Sequence, residues 1–347
     1  MHYFEVAPTA IIRTGSDTFT YASQSPLPIG QLVVIEVGKK QLTGIITSAT
    51  KKPSYETKSI LSTIEAAPLP TELIKLAFWL KEYYNSPLAT VLQTLLPRGL
   101  QKNRRDRLPT HRDSLRDRTT IVLTKDQRDA VQAVESMTPG SALVHGVTGS
   151  GKTHIYIELA KRTLARNQSV IILVPEIALT SQVVDEFSHH FENIILVHSR
   201  QTEAERHLAW QDALNSKSPR VVIGPRSALF TPLHHLGLIV IDEAHEPSFK
   251  QEQSPRYSAL RAASVLTRLH DAKLILGSAT PLVTDYYLAA QSDRPIITLP
   301  ERAKKDATPP TITLVDMTKK ASFTHHRFLS NTLLSELEAS FSRGDQV

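Results

Sequence analysis

The segment "SALVHGVTGSGKTHIYIELAKRTLA", residues 141–165, constrains the fold most strongly. A short apolar run enters a glycine-rich stretch, and a pattern with helical spacing follows. The stretch fits G-x-x-x-x-G-K-[ST] in the strand-to-helix context that this loop requires. Such a loop surrounds phosphate oxygens with backbone N–H groups and the positive end of a helix. We therefore predict a nucleoside triphosphate site formed by Gly146, Val147, Thr148, Gly149, Ser150, Gly151, Lys152 and Thr153.

The hydrophobic pattern around this loop predicts an α/β fold. Between residues 121 and 300, apolar runs alternate with helical stretches, which is typical of a parallel sheet covered on both faces. The runs are "SALVHG", "SVIILVP", "NIILVHS", "RVVIG", "LGLIVIDE" and "AKLILGS". Residues 1–66 instead show short alternating runs broken by Pro and Gly, which predict a small β-barrel or twisted sheet. Helical spacing follows over 71–96, so residues 1–100 form a separate first domain.

Composition limits the classes of function. The chain has 347 residues and no cysteine, which excludes disulfides and thiolate metal sites within it. No stretch approaches the ~20 apolar residues of a bilayer span, so we expect a cytoplasmic protein without membrane contact. The net charge of +6 suggests an anionic partner. Arginine is concentrated in a linker at 101–120, which is either a solvated spacer or a segment that follows a nucleic-acid backbone.

A second apolar run, "LIVIDEAH", ends in two carboxylates, Asp242 and Glu243. In nucleotide-binding proteins of this kind, a second strand brings an acid to the magnesium ion, which Asp242 and the Thr153 hydroxyl could hold. Glu243 could then polarise the attacking water, with Lys152 and Asp242 as the other catalytic residues. The alternative is that these acids cap a helix. A kinase or a transporter could share both features, so they do not by themselves name the function.

Further motifs narrow the function. "DEAH" (242–245) and "GSAT" (277–280) resemble motifs II and III of superfamily 2 helicases. The wider set resembles, in order and spacing, the PriA family of bacterial replication-restart helicases. It comprises "LTKDQ" (123–127), "LVPEIALTSQ" (173–182), "HSRQTEAERHLAW" (198–210), "IGPRSALFTP" (223–232), "DEAHEPSFKQEQSPRY" (242–257) and "LVDM" (314–317). The resemblance implies a RecA-like lobe after a β-barrel-plus-helices DNA-binding domain.

The resemblance implies an ATP-dependent 3′–5′ DNA helicase that uses ATP and Mg²⁺. Gln127 would select adenine, His245 would belong to the ATP site, and Ser278 and Thr280 would couple the nucleotide state to DNA. Expected partners are forked or single-stranded DNA, primosome proteins and single-strand-binding protein, in a nucleoid-associated setting. The alternative is a non-enzymatic module that binds forked DNA and keeps a vestigial ATP site.

The first domain resembles the family's domain for the 3′ end of a DNA strand. Its end-binding pocket would lie at Phe19, Thr20, Gly38 and Lys58. Thr20 stands where the family has an acid, so recognition of a free 3′ hydroxyl is left open. Lys58 and the backbone near Gly38 could still meet a phosphate.

Other DNA contacts are expected on the second domain. The loop after "DEAH" would offer stacking faces from Phe249 and Tyr257 and charge from Lys250 and Arg256. The alternative is that both rings anchor the core. Candidate phosphate contacts are Arg226 and Ser227.

The sequence differs from the family pattern before and after the helicase motifs. Only the basic linker stands where the family commonly has a winged helix. We interpret residues 301–347 as a connector and the start of a second lobe, with a helix capped by Ser330 and closed near Gly344. The family's zinc module and the arginine of motif VI would lie beyond residue 347, so we expect no zinc here. We therefore expect these residues alone to hydrolyse ATP poorly and not to unwind DNA.

Overall fold

The computed structural model describes residues 1–10, 17–100, 122–176, 181–192, 194–292, 294–303 and 312–345, with side chains described from residue 184 in the fourth of these ranges. The predicted linker at 101–120 lies outside the described residues. By their contacts the residues fall into two units, Met1–Ala303 and Lys304–Val347. None of the helices in the described part of the chain has the length and apolar character that a bilayer crossing requires.

The first domain is built on an antiparallel sheet, as its alternating pattern predicts. Its strands are β1 (His2–Pro8), β2 (Phe19–Ser23), β3 (Leu32–Val37), β4 (Lys40–Thr50) and β5 (Ser62–Thr63), in the order β2-β1-β4-β3-β5. A bulge between Glu5 and Val6 lets the long strand β4 curl against β1. Alternate side chains, among them Phe4, Val6 and Ile35, form a small core within the curled sheet.

Two helices complete this domain, α1 (Thr71–Tyr83) and α2 (Leu88–Leu95). Pro70 and Pro87 stand at the N-cap positions just before them, where the helix requires no backbone N–H from the residue. The break between the helices falls at "NSP", as expected. Leu76 and Leu80 on the inner stripe of α1 are fully buried.

The second domain is an α/β lobe with a seven-stranded parallel sheet. Its strands are β6 (Gly140–Gly146), β7 (Ser169–Leu173), β8 (Ile194–Leu196), β9 (Val221–Gly224), β10 (Leu236–Ile241), β11 (Lys273–Ser278) and β12 (Ile296–Leu299). Their order is β12-β6-β11-β10-β7-β9-β8. The six strands predicted from apolar runs are present. The sequence pattern did not indicate β12, which has only one buried residue, Leu299.

Helices cover the parallel sheet. They are α3 (Lys125–Ser136), α4 (Lys152–Ala165), α5 (Ser181–Ser188), α6 (Glu203–Asn215), α7 (Ala259–His270) and α8 (Val283–Gln291). This arrangement confirms a RecA-like lobe. The strand order has a direct consequence, since β6, β11 and β10 are adjacent and parallel. The segments that follow these strands therefore meet at one edge of the sheet.

The first domain and the lobe share a hydrophobic core. One cluster of buried residues runs from α1 and α2 to α7 and the short 3-10 turn Arg226–Phe230. A hydrogen bond from the Ala67 backbone N–H to the Asn215 side-chain oxygen, 3.1 Å long, adds a polar contact between them. Helix α1 therefore packs directly against α7, which follows the "DEAH" motif in the sequence.

The second unit contains one long helix, α9 (Asn331–Arg343). Ser330 caps it by accepting a hydrogen bond from the Leu333 N–H at 3.1 Å. Gly344 ends it in the left-handed conformation with φ +76°. Both predicted ends of this helix are confirmed.

Candidate functional site

Three sequence motifs converge at the carboxyl ends of β6, β11 and β10. "GVTGSGKT" follows β6, "GSAT" includes the end of β11, and "DEAH" follows β10. Hydrogen bonds cross between them: the Ala244 N–H donates to the Gly277 carbonyl at 2.9 Å. The strand order thus brings together residues that are more than 90 positions apart in the sequence.

The glycine-rich loop has the backbone shape that its sequence predicts. Gly149 and Gly151 have φ of +80° and +76°, a region that side chains disfavour. The Lys152 side chain is buried inside the loop, where its ammonium donates to the Gly146 carbonyl at 3.0 Å. The hydroxyl of Ser150 is buried without a hydrogen-bond partner among the described residues. A buried ammonium and an unsatisfied hydroxyl in one loop are suited to bind an anionic group.

Gln127 is held inside the protein. Its amide nitrogen donates to the Ser150 carbonyl at 2.9 Å, and its oxygen accepts from the Thr124 N–H at 2.9 Å. The second bond belongs to a capping box that starts α3. A β-carbon on Gly151 would lie 2.4 Å from the amide nitrogen, so the loop needs glycine there. Gln127 therefore links α3 to the phosphate-binding loop, and its selection of adenine remains a prediction.

Asp242 is largely buried, and the sequence did not point to its main partner. Tyr156 lies one turn after Lys152 on α4. Its hydroxyl donates to Asp242 Oδ1 at 3.0 Å. Burial and the neighbouring Glu243 raise the pKa of Asp242, whereas the Tyr156 hydrogen bond and Lys152 lower it. A β-carbon on Gly277 would lie only 1.7 Å from the Tyr156 hydroxyl oxygen. The glycine of "GSAT" therefore makes room for this tyrosine.

The predicted coupling residues are connected to the "DEAH" motif. His245 Nδ1 lies 2.8 Å from Ser278 Oγ, which also accepts from the Thr280 N–H at 3.0 Å. The same histidine nitrogen lies 3.5 Å from the Glu243 carboxylate. Glu243 has φ +47°, an uncommon backbone conformation for a glutamate. One hydrogen-bond network thus contacts both motifs.

The donor set at this edge fits a magnesium ion. Mg²⁺ prefers oxygen ligands and is usually held by one or two protein groups together with substrate phosphates. The Asp242 carboxylate and the Thr153 hydroxyl are oxygen donors of this kind. Both belong to segments that meet at the phosphate-binding loop.

The predicted end pocket of the first domain contains an acid that we did not expect. Thr20 donates to Glu5 Oε1 at 2.6 Å and lies 2.8 Å from the Tyr55 hydroxyl oxygen. Lys58 is paired with Glu36 and donates to the Gly38 carbonyl at 3.0 Å. Glu5 lies on β1, directly across from Thr20 in the strand register. The pairing of β1 with β2 places the Glu5 carboxylate in this pocket, and the sequence alone does not predict that pairing.

Phe19 adjoins this pocket on β2 and packs, partly buried, against the core of the curled sheet.

The aromatic residues of the loop after β10 are core anchors. Phe249 and Tyr257 are only 2% and 1% exposed. The Tyr257 ring packs against Phe230 with centroids 5.0 Å apart, and burial raises the pKa of its hydroxyl. Our expectation that these rings offer free stacking faces is therefore not met. The positions of Phe249 and Tyr257 instead agree with the alternative interpretation of the sequence, that both rings anchor the core.

The charged residues of the loop differ in accessibility. Lys250 and Arg256 are exposed, as a DNA contact requires. Arg226 instead donates to the Ser248 and Lys250 carbonyls, both at 2.7 Å, so it holds the loop in place. Ser227 is exposed beside a cleft of about 450 Å³ between α2 and α6. Its contact with a phosphate remains a prediction.

Comparisons with known proteins agree with this architecture. Residues 124–286 match the DEAD/DEAH box helicase family, and residues 10–97 match the 3′ DNA-binding domain of PriA. The replication restart protein PriA of Rickettsia prowazekii is 34% identical over 92% of this chain and 49% of the relative. The PriA protein of Synechocystis sp. is 40% identical over 64% of this chain and 28% of the relative. The chain thus spans about half the length, or less, of these curated relatives.

Solved structures resemble the chain more weakly. RecG bound to a three-way DNA junction aligns at 22% identity and a TM-score of 0.39, over 55% of this chain and 25% of that chain. That score is too low to support a functional conclusion.

The fold and the three strand-end motifs define the chain as a DEAD/DEAH box helicase lobe that follows a 3′ DNA-binding domain. At 33–40% identity to the curated relatives, it belongs to the PriA family of replication restart proteins.

Proposed function

We propose that this chain is the ATP- and DNA-binding part of an ATP-dependent 3′–5′ DNA helicase that restarts replication at stalled forks. The observation that carries the proposal is the convergence of Lys152, Asp242 and the His245–Ser278 pair at one edge of the sheet. Primosome proteins and single-strand-binding protein are the partners that the family suggests. The cytoplasm, with nucleoid association, is the corresponding location. The domain limits at residues 100 and 121 remain a prediction.

The proposed roles follow from the chemistry of each group. Lys152 neutralises the terminal phosphates, and the backbone from Gly146 to Thr153 surrounds them. Asp242 and Thr153 would hold Mg²⁺, which when bound screens the charge of the phosphates. Glu243 accepts a proton from the attacking water. His245, Ser278 and Thr280 form the connection through which a change at the nucleotide would reach "GSAT".

DNA would be bound at two places. In the first domain, Thr20, Gly38 and Lys58 would meet the 3′ end, and Glu5 would accept a hydrogen bond from a free hydroxyl. In the lobe, Lys250, Arg256 and Ser227 would meet the phosphate backbone. Affinity should then fall steeply with salt, because bound cations are released from DNA when lysine and arginine neutralise its phosphates.

Turnover separates this proposal from a non-enzymatic fork-binding module. We would measure phosphate release and strand displacement on a labelled fork, for the chain and for Glu243→Gln. The proposal expects slow but measurable phosphate release that DNA stimulates and that Glu243→Gln abolishes while nucleotide binding remains. Release that is absent from both proteins, with or without DNA, would favour the module. Strand displacement by these residues alone would contradict the expectation that they do not unwind DNA.

A further inference from the structure

A cluster of aromatic rings lies where the end of α1 meets the loop after β10. The Trp79 and Tyr83 rings stack with centroids 4.7 Å apart and an interplanar angle of 19°. The Tyr84 ring meets Tyr83 edge-on, with centroids 4.9 Å apart. Tyr83 is 50% exposed, in contrast to the buried rings of the loop. The first domain therefore presents an accessible aromatic ring, whereas Phe249 and Tyr257 are buried.

Cations surround this aromatic cluster. The Arg261 guanidinium lies 5.8 Å from the centre of the Tyr83 ring, and Lys250 Nζ lies 5.1 Å from that of Tyr84. Lys250 also donates to the Arg256 carbonyl, which keeps the exposed Arg256 nearby. One nearby acid is Asp285. Burial raises the pKa of its carboxyl, and the charge of Arg261 opposes this effect by a smaller amount. Three cations, Lys250, Arg256 and Arg261, therefore lie beside these rings.

The position of the cluster is fixed from both sides. The Ser258 N–H donates to the Tyr84 hydroxyl at 3.0 Å, and the Ser86 and Ser254 hydroxyl oxygens are 3.4 Å apart. Arg226 also holds this loop, because its guanidinium donates to the carbonyls of Ser248 and Lys250. These contacts hold the rings and the loop that carries the cations together in one preorganised surface. Preorganisation reduces the entropy lost on binding.

We propose that Trp79, Tyr83, Lys250, Arg256 and Arg261 form a binding surface for single-stranded DNA. An unpaired base would pack against the exposed part of the Tyr83 ring beside the Arg261 guanidinium, and the flanking phosphates would meet the three cations. This combination of a stacking platform and positive charge is how proteins bind single strands without regard to sequence. Inside a duplex each base is stacked on its neighbours and offers the rings no free face. The proposal rests on the proposed DNA-binding function and adds a surface made by the two domains together.

Fluorescence anisotropy with a labelled oligo(dT) and with a duplex of equal length tests the proposal. Tyr83→Ala should weaken oligo(dT) binding about fivefold to a hundredfold, which corresponds to the roughly 1–3 kcal/mol of one stacked base. Tyr83→Phe keeps the ring and should bind as the parent does. Phe341→Ala, which removes a ring 68% exposed in the second unit, is the matched control and should leave affinity unchanged.

The two tryptophans of the chain provide a second readout. Trp79 and Trp210 are the only ones, so Trp210→Phe leaves Trp79 as the sole reporter. Its fluorescence should be quenched by oligo(dT) and unaffected by the duplex. Parent chain that does not bind oligo(dT) would refute the proposed DNA-binding function itself. Binding that survives Tyr83→Ala unchanged, without quenching of Trp79, would overturn this surface alone.

Discussion

Removing the Tyr257 ring should destabilise the protein and not merely weaken its binding to DNA. The ring is 1% exposed, packs against Phe230 and lies 5.6 Å from the Arg226 guanidinium. Replacing a buried aromatic side chain by alanine costs about 3 to 5 kcal/mol, because apolar contacts are lost and a cavity remains. We expect Tyr257→Ala to fall in this range.

Urea unfolding of the parent, Tyr257→Ala and Tyr257→Phe measures this effect. Tyr257→Phe keeps the packing and should lose far less stability than the alanine variant. Tyr83→Ala provides the contrast, since its half-exposed ring contributes little to the core, and its stability should stay close to that of the parent. Unchanged stability of Tyr257→Ala together with lost oligo(dT) binding would refute the assignment of this ring to the core.

Three further outcomes follow from the structure. Tyr156→Phe removes the donor to Asp242 Oδ1, so binding of a fluorescent ATP analogue should lose part of its Mg²⁺ dependence; an unchanged Mg²⁺ titration would show that the hydroxyl does not position this carboxylate. Glu5→Gln should reduce any preference for a 3′-hydroxyl end over a 3′-phosphate end, measured by competition, and an unaltered preference would exclude the carboxylate as the acceptor. Burial lowers the pKa of His270 below that of an unfolded histidine, which is about 6.5. The free energy of unfolding should therefore be highest above about pH 6.5 and fall as the pH drops through the lowered pKa of His270. The variant His270→Gln should lessen this fall.

The sequence predicted the parts of the fold that depend on local pattern. The strand–loop–helix around Lys152, the parallel sheet and the capped helix after Ser330 each follow from hydrophobic spacing, glycine and capping residues within a short window. The placement of Asp242 near the loop also followed, because a second strand brings an acid to the magnesium ion in nucleotide-binding proteins of this kind.

The features that the sequence did not predict depend on contacts between distant segments. Tyr156 has the spacing of an ordinary helix core residue, and only the strand order β6-β11-β10 brings its helix, which follows β6, close to Asp242. Glu5 enters the end pocket through the pairing of β1 with β2. Phe249 and Tyr257 have the composition of a DNA-binding loop, but α1 and α7 provide a core that buries them. Exposure is a property of the packed structure, and residue type alone does not determine it.

Nucleotide affinity of Lys152→Ala tests the central claim, that "GVTGSGKT" binds the phosphates of ATP. A hydrogen bond to a charged group is worth about 1.5 to 3 kcal/mol, so the variant should bind a fluorescent ATP analogue about tenfold to a hundredfold more weakly in the presence of Mg²⁺. Lys161→Ala, on the same helix but facing His190 at 3.3 Å, is the matched control and should bind as the parent does. Equal affinity of Lys152→Ala and the parent would contradict the account.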